Sequence, residues 1–481
     1  MKLSELLAPW ALHSSDCEVL GLAQDSRHVQ AGDLFLAYPG AVVDGRQFID
    51  DALSRGAVAI TYEAGDVDVS AFASIVPCVA ITDLHRCRGL IASRFYGNPT
   101  QALSVIGVTG TNGKTTIAYQ LAQAYERLGQ RSVYVGTLGQ GAVNALKDTS
   151  NTTPDTVLLQ RFCYETEGLQ VVCMEVSSHA LDQDRVLGVN FNQAIFTNLT
   201  HDHLDYHQTM TAYAQAKAKL FAMSSLKSAL VNGDDATARL MMSVLPPGCR
   251  GLTYGLHQGV DVHAHAWEMS MTGSRFTVDS PWGQFELHTR MLGEFNLYNS
   301  LAVFSSLMLE GYLAERIVPL MRELPAVPGR MEMVLSTPCV IVDYAHTPDA
   351  LKNVLATLVR LKKRRLVVVF GCGGDRDKTK RALMGQVAQA YADDIILTSD
   401  NPRSEEPKRI IDDILAGMTA SAAVSVQVDR EQAIHMALAG ADDDDLILIA
   451  GKGHETYQEI GHQRHAFSDQ NVIQAAAQCM D

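Results

Sequence analysis

Gly107-Val-Thr-Gly110-Thr-Asn-Gly113-Lys114-Thr115-Thr116 is the stretch of this chain best suited to holding phosphate. An apolar, β-branched run over residues 103–109 ends in the glycines, and residues 117–128 carry a helical pattern beyond them. Glycines let backbone N–H groups close around phosphate oxygens, and a helix N-terminus adds a favourable dipole. Lys114 can reach a β- or γ-phosphate, and the Thr115 hydroxyl can ligate Mg²⁺. Gly110, Thr111, Asn112, Gly113, Lys114, Thr115 and Thr116 are therefore the expected nucleotide contacts. The spacing is GxxGxxGKT, with Val108 where the common GxxxxGK[ST] pattern has Gly. That weakens a generic kinase or GTPase reading.

A metal on those phosphates needs an acidic partner. Glu175 ends the apolar run 169–175, and its carboxylate can hold Mg²⁺ directly or through water. The alternative is a buried structural pairing with an Arg. Further on, His201, Asp202, His203, Asp205 and His207 crowd one short segment. Three histidines so close would suit zinc, but no cysteine is near and a phosphate-binding Mg²⁺ enzyme already needs ligands here. His203 is assigned to a second Mg²⁺ and the others to hydrogen bonding.

The elements that must position these groups read as α/β. Short strands at 57–62 and 78–82 mix with helices over residues 1–93, and a turn at Gly97-Asn98-Pro99-Thr100 opens a larger block. A second boundary falls at Val327-Pro328-Gly329-Arg330. Beyond it, strands at 340–343, 366–370, 394–398 and 445–450 alternate with helices at 348–362, 380–392 and from about 406. That alternation signs a doubly wound, mainly parallel sheet, in which ligands bind beyond the strands' carboxyl ends. The loops 371–378, 400–403 and 451–455 all fall there.

At 481 residues the chain exceeds one core and, at ~150 residues per domain, suggests three. A net charge of −15 argues against nucleic acid as the main partner. No apolar run approaches the ~18 residues of a membrane span. Residues 1–20 are a poor signal peptide, because Glu5 interrupts the apolar stretch. Nine cysteines without CxxC pairs read as reduced thiols, which places the protein in the cytoplasm. The basic run Lys362-Lys363-Arg364-Arg365 is expected to complement a helix C-terminus.

Taken in order, these motifs resemble the Mur ligase family, which also includes folylpolyglutamate synthetases. The resemblance runs through Gly110–Thr116, Glu175-Val-Ser-Ser-His179, Thr197-Asn-Leu with Asp202-His203-Leu-Asp205, Asn296-Leu-Tyr-Asn299, Pro328-Gly-Arg330 and Asp343-Tyr-Ala-His346. It implies three α/β domains: an N-terminal uridine-binding domain (1–93), a central P-loop mononucleotide-binding domain (94–330) and a C-terminal Rossmann-like domain for the amino acid (331–481). It implies that Lys114, Glu175, His203, Asn296, Asn299, Arg330 and Asp343 serve ATP and metal. Lys217 would carry a carbamate, turning a cation into an anionic oxygen ligand for Mg²⁺ beside Thr115, Glu175 and His203. Without the resemblance, Lys217 and Lys219 both read as solvent-exposed.

Within the family, the branch that adds the third residue of the cell-wall peptide fits best. The implied substrate UDP-N-acetylmuramoyl-L-alanyl-D-glutamate would meet Ser26, Ala41, Val42, Val43, Asn151, Thr152, Thr153, Ser178, Gln183 and Arg185. The trio at 41–43 is less polar than the resemblance leads one to expect. Asp400, Asn401, Pro402 and Arg403 resemble the type that adds meso-2,6-diaminopimelate, with Arg376 assisting and Gly451 and Glu455 at the distal end. The physics agrees, since an Arg fork suits the carboxylate that lysine lacks. Lysine would leave that Arg unpaired, a loss that can reach ~10⁴ in discrimination. The bland reading of Arg403 is a loop cap, or a pair with Glu405 or Glu406. The expected reaction passes through an acyl phosphate made from ATP with two Mg²⁺ ions, in a monomer. The rivals are a lysine-adding or folylpolyglutamate-type ligase of the family, and a P-loop switch without ligase chemistry.

Overall fold

The computed structural model describes residues 1–11, 16–40, 43–65, 67–149, 151–419 and 423–478. Three α/β sheets follow one another along the chain, as expected, with a small hairpin added late. Among the described residues, no helix is long and apolar enough to cross a membrane.

The first sheet has four parallel strands in chain order, Gly21–Ala23, Asp33–Ala37, Ala59–Glu63 and Cys78–Ile81. Two Asp-x-Arg turns shape its rim. Asp25 accepts from the Arg27 backbone at 3.0 Å and from its guanidinium at 2.6 Å, and Asp44 does the same for Arg46 at 3.0 and 2.7 Å. The helix Leu84–Phe95 closes this sheet and packs on the helix Thr156–Glu165 of the central block, where Arg88 Nε meets Asp155 Oδ2 at 3.3 Å. Gly89 is obligatory at that contact, because a Cβ there would collide with the Leu187 carbonyl.

In the ten-stranded central sheet, Ser104–Thr109 lies between Val171–Glu175 and Gln193–Phe196, all parallel. Alternate residues of these strands feed two cores. Ile106, Val108 and Cys173 face one, and Val105, Val172 and Met174 face the other. Helices therefore cover both faces, as an apolar parallel sheet requires. Three antiparallel strands, Val262–Ser270, Gly273–Ser280 and Gly283–Thr289, extend one edge. The sequence reading did not foresee that extension.

The third sheet runs Glu332–Ser336, Cys339–Asp343, Leu446–Ala450, Leu366–Phe370, Asp394–Leu397 and Val424–Val426. Its helices Pro348–Leu361, Thr379–Tyr391 and Pro407–Leu415 lie within a residue or so of expectation. The basic run behaves differently from expectation. Lys363 pairs with Asp444 at 3.0 Å, Arg365 with Asp445 at 2.6 Å, and Lys362 with Asp393 at 2.5 Å. Carboxylates on neighbouring turns, rather than a helix dipole, hold these charges.

Candidate active site at a cleft between two sheet edges

A cleft of about 680 Å³ opens where the carboxyl edges of the central and third sheets face each other. Its central wall is the phosphate loop. The helix here begins at Lys114, not at 117, so the loop's N–H groups lie at a true helix start. Gly110 and Gly113 have φ of 151° and 88°, which only glycine adopts without strain. Lys114 Nζ folds back on the loop, donating to Gly110 O at 3.0 Å and Thr111 O at 2.8 Å. Asn112 N donates to Asn198 Oδ1 at 3.0 Å, which ties the loop to the strand end beside it.

Glu175 ends its strand as expected and is 1% exposed. Its partners are not an Arg. Tyr134 OH donates to Oε1 at 2.5 Å, Thr137 N donates to the same oxygen at 2.9 Å, and among the described residues Oε2 has only the Thr137 hydroxyl at 3.3 Å. That second oxygen keeps lone pairs for another ligand.

Lys217 overturns the reading made from residues alone. It is 1% exposed, on the inner face of the helix Met210–Phe221, and donates to Gly110 O at 2.8 Å. Its ammonium lies 4.4 Å from the Tyr213 ring centre. Burial, with Lys114 nearby, drives its pKa well below the ordinary lysine value. Lys219 faces the other way, to Asp182 at 3.0 Å. The alanine-rich pattern of that helix hides which lysine points inward.

Asn296 and Asn299 stack as a buried pair at the start of the helix Glu294–Leu309, with Asn299 Nδ2 donating to Asn296 Oδ1 at 2.7 Å. Both line a second cavity of about 410 Å³, beside Gly113 and Asp343. Asp343 is buried and accepts from Met331 N and Ala345 N, each at 2.7 Å. Burial raises its pKa, against the pull of Arg330. Arg330 crosses between the sheets: Nη2 donates to Thr115 Oγ1 at 3.1 Å, and its guanidinium lies 4.5 Å from the Tyr344 ring centre. Next to it, Gly329 passes so close to Gly453 that a Cβ would strike the His454 backbone.

The third-sheet wall carries Gly373, Arg376, Asp400, Asn401, Arg403, Gly451 and Glu455. Pro402 does not line the cleft; its carbonyl packs on Gly374. Arg403 Nε meets Glu459 Oε2 at 3.0 Å, and Nη1 donates to Gly374 O at 2.8 Å. Neither Glu405 nor Glu406 is its partner, since Glu405 pairs with the buried Arg381 at 2.7 Å and Glu406 with Arg409 at 3.5 Å. Lys452 Nζ binds both Asn401 Oδ1 at 3.0 Å and Glu455 Oε2 at 2.9 Å.

Of the residues expected to meet the UDP-substrate, Thr152 and Ser178 line the cleft. Thr153 and Arg185 stand just behind it, joined by a 3.0 Å bond from Arg185 Nη1 to Thr153 O. Gln183 Nε2 reaches Tyr206 OH at 3.3 Å, and Arg88 Nη2 reaches Gln183 O at 3.3 Å. Asn151, Ser26 and Val43 do not line the cleft, and Val43 is half exposed. Ala41 and Val42 lie outside the described residues.

The donor chemistry fits Mg²⁺. Thr115, Glu175, His203 and Lys217 all line the cleft. Hydroxyl and carboxylate oxygens are the hard donors that ion takes. As a free amine Lys217 is a poor ligand, whereas a carbamate would supply oxygens. His203, with φ 55°, caps the short helix Leu204–His207 and sits 3.5 Å from Asp202.

Known proteins locate this architecture. Residues 18–91, 108–307 and 329–453 match the Mur ligase family catalytic domain, the Mur ligase middle domain and the Mur ligase glutamate ligase domain. A Chromobacterium violaceum protein, UDP-N-acetylmuramoyl-L-alanyl-D-glutamate–2,6-diaminopimelate ligase, is 46% identical over 459 residues, 94% of this chain and 93% of that one. The chain belongs to the Mur ligase family. A Geobacillus kaustophilus ligase of the same name is 43% identical over 98% of both chains. A solved structure of a ligase with that name superposes on this Mur ligase with TM-score 0.74 and 36% identity, covering 100% and 99% of the two chains. A Thermotoga maritima MurF in complex with ADP shares the fold at TM-score 0.66 and 18% identity, over 90% and 94%.

Several groups of this Mur ligase escaped the sequence reading. Tyr134 and Thr137 act on Glu175, and Glu459 on Arg403, from distant positions, while Lys452 acts on Glu455 three residues away. Only Lys452 had a local signal, its place between Gly451 and Glu455.

Proposed function

We propose that this Mur ligase is an ATP-dependent, ADP-forming amide ligase of peptidoglycan precursor synthesis. It joins meso-2,6-diaminopimelate to UDP-N-acetylmuramoyl-L-alanyl-D-glutamate. The observation that carries the reading is that one cleft is lined both by Lys114, Glu175 and Lys217 and by Arg376, Arg403 and Glu455. The names of its relatives support the same reading. ATP lies along the phosphate loop, residues 110–116, with its nucleoside end towards Asn296, Asn299, Arg330 and Asp343. The UDP-substrate spans from the first sheet, at Ser26 and Val43, to Asn151, Thr152, Thr153, Ser178, Gln183 and Arg185. The domains divide at 93 and 330, and the enzyme works as a cytoplasmic monomer.

In this reading the D-glutamate side-chain carboxylate attacks the γ-phosphorus, ADP leaves, and the diaminopimelate amine then displaces phosphate from the acyl phosphate. Lys114 holds charge on the transferred phosphoryl oxygens. Mg²⁺ would be held by Thr115, Glu175, His203 and carbamylated Lys217, and supplies further charge neutralisation there when bound. The carbamate reading rests on a buried amine with no ion pair among the described residues, which would add CO₂ and lose a proton. Such an amine gains by becoming an anion next to Lys114. Arg403 takes the distal carboxylate, with Arg376 assisting, and Asp400, Asn401, Gly451 and Glu455 frame the distal ammonium.

Phosphate release from ATP tests the reading. Turnover should require the UDP-muramoyl dipeptide and diaminopimelate together, and L-lysine should be a poorer partner. ATP hydrolysis indifferent to the amino acid would sink it.

A further inference from the structure

We infer that Lys452 and Glu459 are positioning residues of the amino-acid site, each holding from behind the charge that meets the substrate. Lys452 stands behind Glu455, and Glu459 behind Arg403. The inference rests on the proposed amino-acid site and adds two residues to it. Glu455, Asn401 and Arg403 line the cleft, whereas Lys452 and Glu459 do not.

Lys452 is fully buried. A buried ammonium is tolerated only when its hydrogen bonds are met. Here Asn401 Oδ1 at 3.0 Å and Glu455 Oε2 at 2.9 Å take two of its three N–H groups, and the Tyr457 ring centre lies 5.5 Å away. Asn401 Nδ2 donates to the same Glu455 oxygen at 2.8 Å. Oε2 is thus committed, and Oε1 stays available to a substrate ammonium.

Arg403 is treated in the mirror sense. Glu459 Oε2 takes Nε–H at 3.0 Å and Gly374 O takes one Nη1 hydrogen at 2.8 Å. The rest of the guanidinium's donors remain for a carboxylate. Glu459 lies on the strand Tyr457–Ile460, which also fixes the neighbouring backbone. Arg403 N donates to Glu459 O at 3.1 Å, Gly461 N to Arg403 O at 2.8 Å, and Glu459 N to Asn401 Oδ1 at 2.9 Å. One strand thereby sets both recognition groups. Each cleft-facing charge has a counter-charge behind it, so the set Arg403, Glu459, Glu455 and Lys452 carries no net charge. That suits a zwitterionic amino-acid head, one ammonium and one carboxylate, better than a lone cation.

Steady-state kinetics of the full-length enzyme tests this. Glu459→Gln should raise the KM for diaminopimelate about 10-fold, the scale of one charge-assisted hydrogen bond. The kcat and the KM for ATP should stay within about 2-fold. Glu459→Asp should recover part of the loss. L-lysine, which has no distal carboxylate for Arg403, should keep its apparent affinity in Glu459→Gln. Lys452→Arg keeps a buried cation but lacks a compact ammonium, so it should weaken diaminopimelate and lysine alike. An unchanged diaminopimelate KM in Glu459→Gln, or an equal rise for lysine and ATP, overturns the inference. A parent enzyme that does not turn over diaminopimelate overturns the functional reading and this inference with it, and that failure is visible before any variant is made.

Discussion

Two sets of cations on opposite sides of the cleft handle charge in opposite ways. On the central edge, Lys114 and Lys217 spend their hydrogen bonds on neutral carbonyls and share one of them, Gly110 O. Neither forms an ion pair among the described residues. On the third-sheet edge, Arg381, Arg403 and Lys452 each meet a carboxylate, at 2.7, 3.0 and 2.9 Å. Cations without counter-charges leave an edge dependent on anions brought by its ligands, as suits phosphate. Cations already paired contribute direction rather than raw attraction, as suits the choice between similar amino acids.

The largest effect should come from the unpaired edge. Lys217→Met should lower kcat by about 10²–10³-fold, the scale of losing one preorganised electrostatic group. Lys219→Met should stay near the parent, because its exposed pair with Asp182 contributes little. Phosphate-release assays compare the two, and similar losses would remove the contrast between the edges.

On the paired edge, Arg403→Ala should cost roughly 10²-fold in kcat/KM for diaminopimelate while the KM for ATP holds. The pairing also revises an expectation. With lysine bound, Arg403 would still have Glu459 and the Gly374 carbonyl, so no guanidinium is orphaned. Discrimination between the two amino acids should then be nearer 10² than ~10⁴. Competition kinetics would break the comparison by giving the larger ratio.

The smallest effect concerns acid stability. Burial, with Arg330 beside it, pushes the His454 pKa down to about 3, against ~6.5 in an unfolded chain. As pH falls from ~6.5 towards 3, the unfolded state takes up a proton that the folded state refuses. Stability therefore falls, by up to ~1.4 kcal/mol per pH unit from this site. Urea denaturation at pH 7 and 5 should show a shallower pH dependence for His454→Gln, and equal slopes would count against the assignment.

What the sequence disclosed follows from contact range. The phosphate loop and Glu175 announce themselves because strand, glycines and helix are consecutive, and the third sheet because its strands and helices alternate. Lys217 was misread because its burial depends on the phosphate loop 107 positions away. Glu459 was missed because its partner Arg403 lies 56 residues earlier, on a different loop. Tyr134 was missed for the same reason, 41 residues from Glu175. The antiparallel extension of the central sheet is formed by hairpins whose polar, partly exposed strands give only a weak period-two signal.

Arg330 touches the Thr115 hydroxyl on one side and the Tyr344 ring on the other, just where Gly329 and Gly453 cross backbone to backbone. A single side chain is thus shared by the phosphate loop and the third sheet. Whatever free energy nucleotide contributes to the placement of that sheet, the placement must return to nucleotide affinity in equal measure. Nucleotide binding and sheet placement form one thermodynamic square, with this guanidinium at its corner.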